Sequence, residues 1–111
     1  MPSKSYHKYD VENYYDIDPD FGTLEDFEQL VSECHRRGIK LIIDLVLNHI
    51  SSQNPLYKKA VEEVAENKLD GNAEYFEIHE TSYFGSDTQV NVLSNGYACE
   101  ANFSHDMPEW N

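Results

Sequence analysis

The chain has 111 residues, with 21 acidic against 8 basic side chains and a formal net charge of −13. That excess of negative charge repels phosphate backbones and anionic headgroups, which excludes nucleic acid and membrane surfaces as partners and leaves cations and neutral polar ligands. Length permits one folded domain, and an aromatic content of 13% argues against disorder. The longest apolar run, Leu41-Ile42-Ile43 resumed after Asp44 by Leu45-Val46-Leu47, falls far short of the ~20 residues of a membrane span. Met1-Pro2-Ser3-Lys4 leads into polar aromatic sequence with no apolar core of a secretory signal, which leaves the compartment undetermined. Cys34 and Cys99 either pair or stay free.

In chain order, residues 6–19 are rich in tyrosine and carboxylates, lack a helical or strand period, and read as an ordered loop. Pro19, Asp20 and Gly22 carry turn chemistry, and Thr23 with Asp26 three positions on is a capping pair, so a helix is expected from Leu24. Its apolar stripe is Leu24, Phe27, Leu30, Val31 and Cys34, with Arg36 and Arg37 in the last turn and Gly38 placed to close it. Residues 39–47 form a nearly continuous β-branched and leucine run, the pattern of a parallel strand buried on both faces, with Asp44 as the exception. Helix, glycine turn and buried strand make the second half of a βαβ unit, so the class is α/β. Asn54 and Pro55 then start a second amphipathic helix with Leu56, Ala60, Val61, Val64 and Ala65 on one face, ending between Asn67 and Gly71. From Asn72 onward, short segments around Tyr75 to Ile78, Gln89 to Val92 and Tyr97 to Phe103 indicate an irregular, mostly β excursion.

A strand buried on both faces needs neighbours on both edges, because its amide and carbonyl groups cannot stay unpaired away from water. Nothing else in the sequence supplies two such neighbours, so the chain is expected to be part of a larger α/β sheet or barrel. The final residues Met107-Pro108-Glu109-Trp110-Asn111 read as a cut rather than a terminus.

The chemistry concentrates in Asp44-Leu45-Val46-Leu47-Asn48-His49, which sets a carboxylate, an amide and an imidazole at the carboxyl end of the expected strand. Loops at that end of α/β strands face a common crevice where ligands bind. His49 can hydrogen-bond a substrate hydroxyl in its neutral form, and the Asn48 amide oxygen is a hard ligand suited to calcium. On spacing alone, a turn with local hydrogen bonds explains Asn48 and His49 as well. Asp44 alternates with Ile43 and Leu45, so it either points into a barrel interior or makes a buried structural hydrogen bond.

Asp44 to His49 resembles the first conserved region of the alpha-amylase family of glycoside hydrolases, glycoside hydrolase family 13. Tyr6-His7-Lys8-Tyr9-Asp10-Val11, Tyr15-Asp16-Ile17-Asp18-Pro19-Asp20-Phe21-Gly22-Thr23 and His35-Arg36-Arg37-Gly38-Ile39-Lys40 are similar to that family's loop after the second barrel strand, the following helix and the third strand. Met107-Pro108-Glu109-Trp110-Asn111 is similar to the conserved stretch near the end of domain B. The resemblance implies a partial (β/α)8 TIM barrel over residues 1–50 and a domain B-like excursion over 51–111, including the second helix. It implies that Tyr9 stacks on a glucose ring and that His49 hydrogen-bonds the same unit. It implies that Asn48 is a calcium ligand, that Glu109 stands where many members have a calcium-binding aspartate, and that Asp44 organises the site.

The family's mechanism is retaining glycoside hydrolysis by two carboxylates. Its nucleophile, acid/base and stabilising aspartate follow the fourth, fifth and seventh strands, so the resemblance places no catalytic residue in this sequence. Asp16, Asp18 and Asp20 read as a solvated acidic face. Met1 is expected to be an internal residue of a longer frame. The function implied is a fragment of an enzyme acting on α-1,4-glucans, inactive alone, with the rest of the parent barrel as its partner and calcium as a cofactor. The alternatives are a non-catalytic accessory protein with an amylase-like barrel, and an independent calcium- or sugar-binding module.

Overall fold

The computed structural model describes residues 1–111. The first helix, α1 (Leu24–Arg36), starts where Thr23 predicts it. The Thr23 hydroxyl oxygen accepts from the Asp26 amide at 3.1 Å, and the Asp26 carboxylate accepts from the Thr23 amide at 2.8 Å. Two orphan donors are thereby satisfied reciprocally. The helix closes with Gly38 at φ +71, its N–H on the His35 carbonyl at 3.1 Å and the Ile39 N–H on the Cys34 carbonyl at 2.8 Å. That pair of bonds is a Schellman closure.

The second helix, α2 (Pro55–Ala65), has Asn54 as its cap, the side-chain oxygen accepting from the Leu56 amide at 2.9 Å. It closes in the same way on Asn67 at φ 58, with the Asn67 N–H on Val64 and the Lys68 N–H on Glu63. Its buried face is rotated from the expected one: Tyr57, Ala60 and Val64 are buried with Glu63, whereas Leu56 and Ala65 are exposed. Glu63 tolerates burial because its carboxylate accepts from the Asn72 amide at 2.7 Å and from the Asn72 side chain at 2.8 Å, which holds it below the usual carboxylate range. Gly71 leaves room for this contact, since a Cβ there would lie 2.5 Å from the carboxylate.

Three short strands follow: β1 (Ile78–Glu80), β2 (Val90–Val92) and β3 (Tyr97–Glu100). They form an antiparallel sheet in the order β1-β3-β2, with Ile78 opposite Cys99 and Asn91 on its other side. The mostly β excursion is therefore present, with Tyr75 placed in a 3-10 turn ahead of it. α2 packs on this sheet around Ile50, Tyr57, Ala60, Val64, Ala73, Phe76 and Cys99. Phe76 is the centre of the cluster, with Tyr57 edge-on at 5.3 Å and Trp110 stacked at 4.7 Å. Both cysteines are free, and burial together with neighbouring carboxylates pushes the Cys99 thiol up to about 12, so it is inert at neutral pH.

The sheet continues into a three-way junction. The Glu100 amide donates to the Glu77 carbonyl, the Glu109 amide to the Glu100 carbonyl and the Glu77 amide to the Glu109 carbonyl, at 2.9, 2.9 and 3.1 Å. Three glutamates are thus brought together, and burial followed by the charges of Glu109 and Glu77 raises the Glu100 carboxyl.

The expected strand over residues 39–47 is not one here. It forms no ladder, and Ile42 and Leu47 are 90% and 68% exposed. The reason is the one the sequence supplies: no second parallel strand exists in the chain to take its amides. α1 likewise buries none of its residues. Leu24, Phe27, Ile43 and Leu45 line an open apolar groove of about 410 Å³. Asp44 is exposed, with no barrel wall closing over it. No helix is long and apolar enough to cross a membrane.

The unequal packing predicts unequal mutational costs. Phe76→Ala is expected to lose about 3–5 kcal/mol, whereas Leu45→Ala stays within about 0.5 kcal/mol, as read by urea unfolding. For Glu100, a carboxyl raised in the fold destabilises once pH climbs past its ordinary value of 4.5. Glu100→Gln is therefore expected to raise the melting temperature near neutral pH, and that gain is expected to vanish in acid, where Glu100 is protonated anyway.

Candidate functional site

The loop over residues 1–20 is held by its own charges. Asp18, 3% exposed, accepts from the Ser3 amide at 3.0 Å and the Asp20 amide at 2.9 Å and pairs with the Lys8 ammonium at 3.0 Å. The Asp20 amide and Lys8 hold its carboxyl below the usual range. Asp18 is thus not part of the solvated acidic face expected from the sequence, whereas Asp16 and Asp20 are exposed. Asp10 is also buried and accepts from the Ser3 and Ser5 hydroxyls. Between these anchors, Lys8 adopts φ 65, which lets the Tyr9 amide donate to His7 Nδ1 at 3.1 Å while the two rings stack at 5.9 Å.

His49 arrives from the other side. The loop is tied to its segment by the Ser51 amide on the Val11 carbonyl at 2.9 Å and the Asn54 side chain on the Glu12 carbonyl at 2.9 Å. An isolated antiparallel bridge pairs His49 with Glu109. The outcome is a cleft of about 500 Å³ lined by His7, Tyr9, His49, Phe103 and Met107. Tyr9 and His49, which the family resemblance assigns to one ligand, line the same cleft.

His49 is 6% exposed, yet neither ring nitrogen has a hydrogen-bond partner of good geometry, the Tyr9 main chain offering only a weak contact. Burial lowers its pKa from the ordinary 6.5, opposed by the Glu109 charge and by that Tyr9 contact, so the ring is neutral at pH 7. A neutral imidazole offers one donor and one acceptor, and leaving such groups buried and unpaired costs about 1–3 kcal/mol each. A ligand hydroxyl, which can accept from the one nitrogen or donate to the other, recovers that cost at the nitrogen it meets. Tyr9, 49% exposed, supplies an aromatic surface suited to the C–H side of a ring.

Phe103 and Met107 are cleft residues that the sequence reading did not single out. Phe103 lies edge-on to His49 at 5.6 Å, and is 85% exposed with φ 61, a conformation bulky residues rarely adopt. The turn that forces it is built from the Asn102 amide on the Met107 carbonyl and the Met107 amide on the Ser104 carbonyl. No pattern in the sequence signals that turn.

The two expected calcium ligands are adjacent in the backbone. Asn48 is exposed, and its main-chain carbonyl, not its side-chain amide, accepts from the Trp110 amide at 3.1 Å, while the Glu109 carboxylate accepts from the Asn102 side chain at 2.6 Å. No three His, Cys, Asp or Glu side chains gather as a metal site.

A family model described as the alpha amylase catalytic domain matches residues 1–111. Alpha-amylase 3 of Dictyoglomus thermophilum is 57% identical over 57 residues, taking in 51% of this chain and 11% of that protein. The trehalose-6-phosphate hydrolase of Bacillus subtilis is 46% identical over 56 residues, 50% of this chain and 10% of that protein. Among solved structures, Eubacterium rectale Amy13B superposes with a TM-score of 0.86 at 37% identity, over 100% of this chain and 22% of that one. An alpha-amylase from H. orenii superposes at 0.74 with 38% identity, over 100% of this chain and 24% of that one. The chain thus spans about a tenth of the curated relatives it matches. Its two helices and antiparallel three-stranded sheet fit a partial TIM barrel with a domain B region. The chain belongs to the alpha-amylase family of glycoside hydrolases, glycoside hydrolase family 13, as a portion of its catalytic domain.

Proposed function

We propose that these residues form one wall of the sugar site of a retaining glycoside hydrolase acting on α-1,4-glucans, with Tyr9 and His49 binding the same glucose unit. The observation that carries this reading is the buried, unpartnered imidazole of His49 in a cleft beside an aromatic face. Tyr9 stacks on the sugar ring, and one ring nitrogen of His49 bonds a sugar hydroxyl.

The reaction requires a nucleophile and an acid/base carboxyl about 5–5.5 Å apart. The carboxylates whose charge reaches His49, Glu109 and Asp10, are occupied by Asn102 and by the Ser3 and Ser5 hydroxyls. The catalytic pair therefore belongs to other parts of the barrel, and these residues bind and orient. Asp44 is proposed to organise the site once neighbouring strands enclose it. Calcium takes six to eight oxygen ligands, so Asn48 and Glu109 suffice only alongside oxygens from elsewhere in the domain, and no step of the reaction is routed through the ion.

Titrating maltotetraose into the chain by calorimetry tests the reading. His49→Ala is expected to weaken binding about tenfold, the worth of a net hydrogen bond of about 1.5 kcal/mol, and Tyr9→Phe is expected to leave it nearly unchanged. Equal affinity for the parent chain and His49→Ala would overturn the assignment. Protonation of His49 removes its acceptor, so affinity is expected to be full at neutral pH and to fall as pH drops below 6.5 toward the lowered value of the buried ring. The chain alone is expected to release no reducing sugar from starch; sustained turnover would place the catalytic carboxylates within it.

A further inference from the structure

Tyr14 lies outside the cleft, and the side chains that line it leave its role unexplained. Its half-buried ring packs against the core cluster, 6.5 Å from the ring of Trp110. Its hydroxyl is 2.6 Å from the Val46 carbonyl oxygen and 3.3 Å from the His49 carbonyl oxygen, and it receives the Trp110 indole N–H at 3.4 Å. A phenol has one proton to give, so the short bond to Val46 takes it and the His49 carbonyl is the weaker, alternative acceptor. Burial raises the phenol above its ordinary 10.0, against the pull of the indole bond, so the hydroxyl remains a donor at neutral pH.

The main chain at His49 and after it is held by other bonds: the Asn48 carbonyl accepts from Trp110 and the Ile50 amide donates to the Pro108 carbonyl at 3.1 Å, which makes the bridge to Glu109, and the Ser51 amide donates to Val11. Upstream, residues 39–47 have no ladder. The bond to Val46 is therefore where the chain is first tied down before it delivers the imidazole. Packing alone would be served equally by phenylalanine, so the hydroxyl is the part of Tyr14 that needs a reason.

We propose that Tyr14 is a positioning residue for His49: its hydroxyl, held by the Trp110 indole, ties the Val46 carbonyl three residues before His49, with the His49 carbonyl as the alternative acceptor, and so sets where the imidazole stands in the cleft. The proposal rests on the reading of His49 as a sugar-binding residue. Binding energy at a cleft of this kind depends on where a side chain is held before the ligand arrives.

Tyr14→Phe in the full chain tests it, followed by the amide spectrum and the ring resonances of His49. Amide shifts over residues 46–50 and the His49 ring resonances are expected to move, with α2 and the sheet unchanged. Maltotetraose binding is expected to weaken about fivefold, the worth of one net hydrogen bond. Trp110→Phe, which keeps a ring against Phe76 and removes the indole donor, is expected to move the same resonances by less. An unmoved His49 ring and unmoved 46–50 amides in Tyr14→Phe would overturn the proposal, as would loss of dispersion across α2 and the sheet, which would make Tyr14 a packing residue. If the parent chain fails to bind maltotetraose while His49 still responds to Tyr14→Phe, the sugar reading fails and the positioning role stands. If both chains bind equally and His49 is unmoved, the positioning role fails and the sugar reading stands.

Discussion

Trp110 is held on three sides, and each hold joins a different part of the chain. Its ring stacks on Phe76 at the centre of the core, its amide donates to the Asn48 carbonyl, and its indole donates to the Tyr14 hydroxyl. The first contact anchors it to α2 and the sheet, the second fixes the segment carrying His49, and the third reaches the tyrosine-rich loop. Without that junction the loop over residues 1–20 and the excursion after residue 50 would be joined mainly by the Ser51 and Asn54 bonds, and the cleft between Tyr9 and His49 would lose its common frame. Stacked aromatic rings bury large apolar areas with a defined geometry, so one such contact can set both stability and orientation.

The two parts of the chain solve the burial problem differently. The α2 and sheet portion covers its own apolar residues, because a short antiparallel sheet can leave one face to solvent and still bury the other. The α1 portion cannot, because a parallel strand is covered on both faces only within a larger sheet. Its exposed Ile42, Ile43, Leu45 and Leu47 are the surface that such a sheet would bury, each side chain worth about 1.5–3 kcal/mol on full burial. The local signals of α1 are satisfied even so. Its cap and its Schellman closure form from residues within a few positions of each other, and they need no tertiary partner.

That contrast also explains what was legible from sequence. Helix ends could be read because capping is local: Thr23 with Asp26, Asn54 with Pro55, and Gly38 all stand where the pattern puts them. The lack of a ladder over residues 39–47 follows from an inventory of strands, and the sequence supports that argument too. The pairing of Tyr9 with His49 came through family resemblance, since nothing in their spacing of forty positions says they meet. Phe103, Met107 and the buried state of Asp18 were not legible. Each depends on a backbone conformation fixed by distant bonds: a turn closed between Asn102 and Met107, and amides of Ser3 and Asp20 converging on one carboxylate. The same limit hid the rotation of the α2 face, because Glu63 reads as a surface residue until Asn72 is seen to satisfy it.

The net charge of −13 is distributed in a way that bears on binding. Part of it is internal wiring: Asp10, Asp18 and Glu63 are buried acceptors satisfied by hydroxyls, amides or Lys8. Part is frustrated, as at Glu100, where the main-chain junction of Glu77, Glu100 and Glu109 forces like charges together. The cleft itself is lined by aromatic, imidazole and thioether groups and carries no carboxylate on its wall. A neutral ligand therefore meets no carboxylate that it must strip of water, and the polar groups on the wall are the imidazoles of His7 and His49 and the Tyr9 hydroxyl. Negative charge close by, at Glu109 and Asp10, would favour protonation of the His49 ring, while burial opposes it and prevails. The depth at which His49 is held thus decides which protonation state the cleft presents, and the main-chain ties on either side of the residue set that depth.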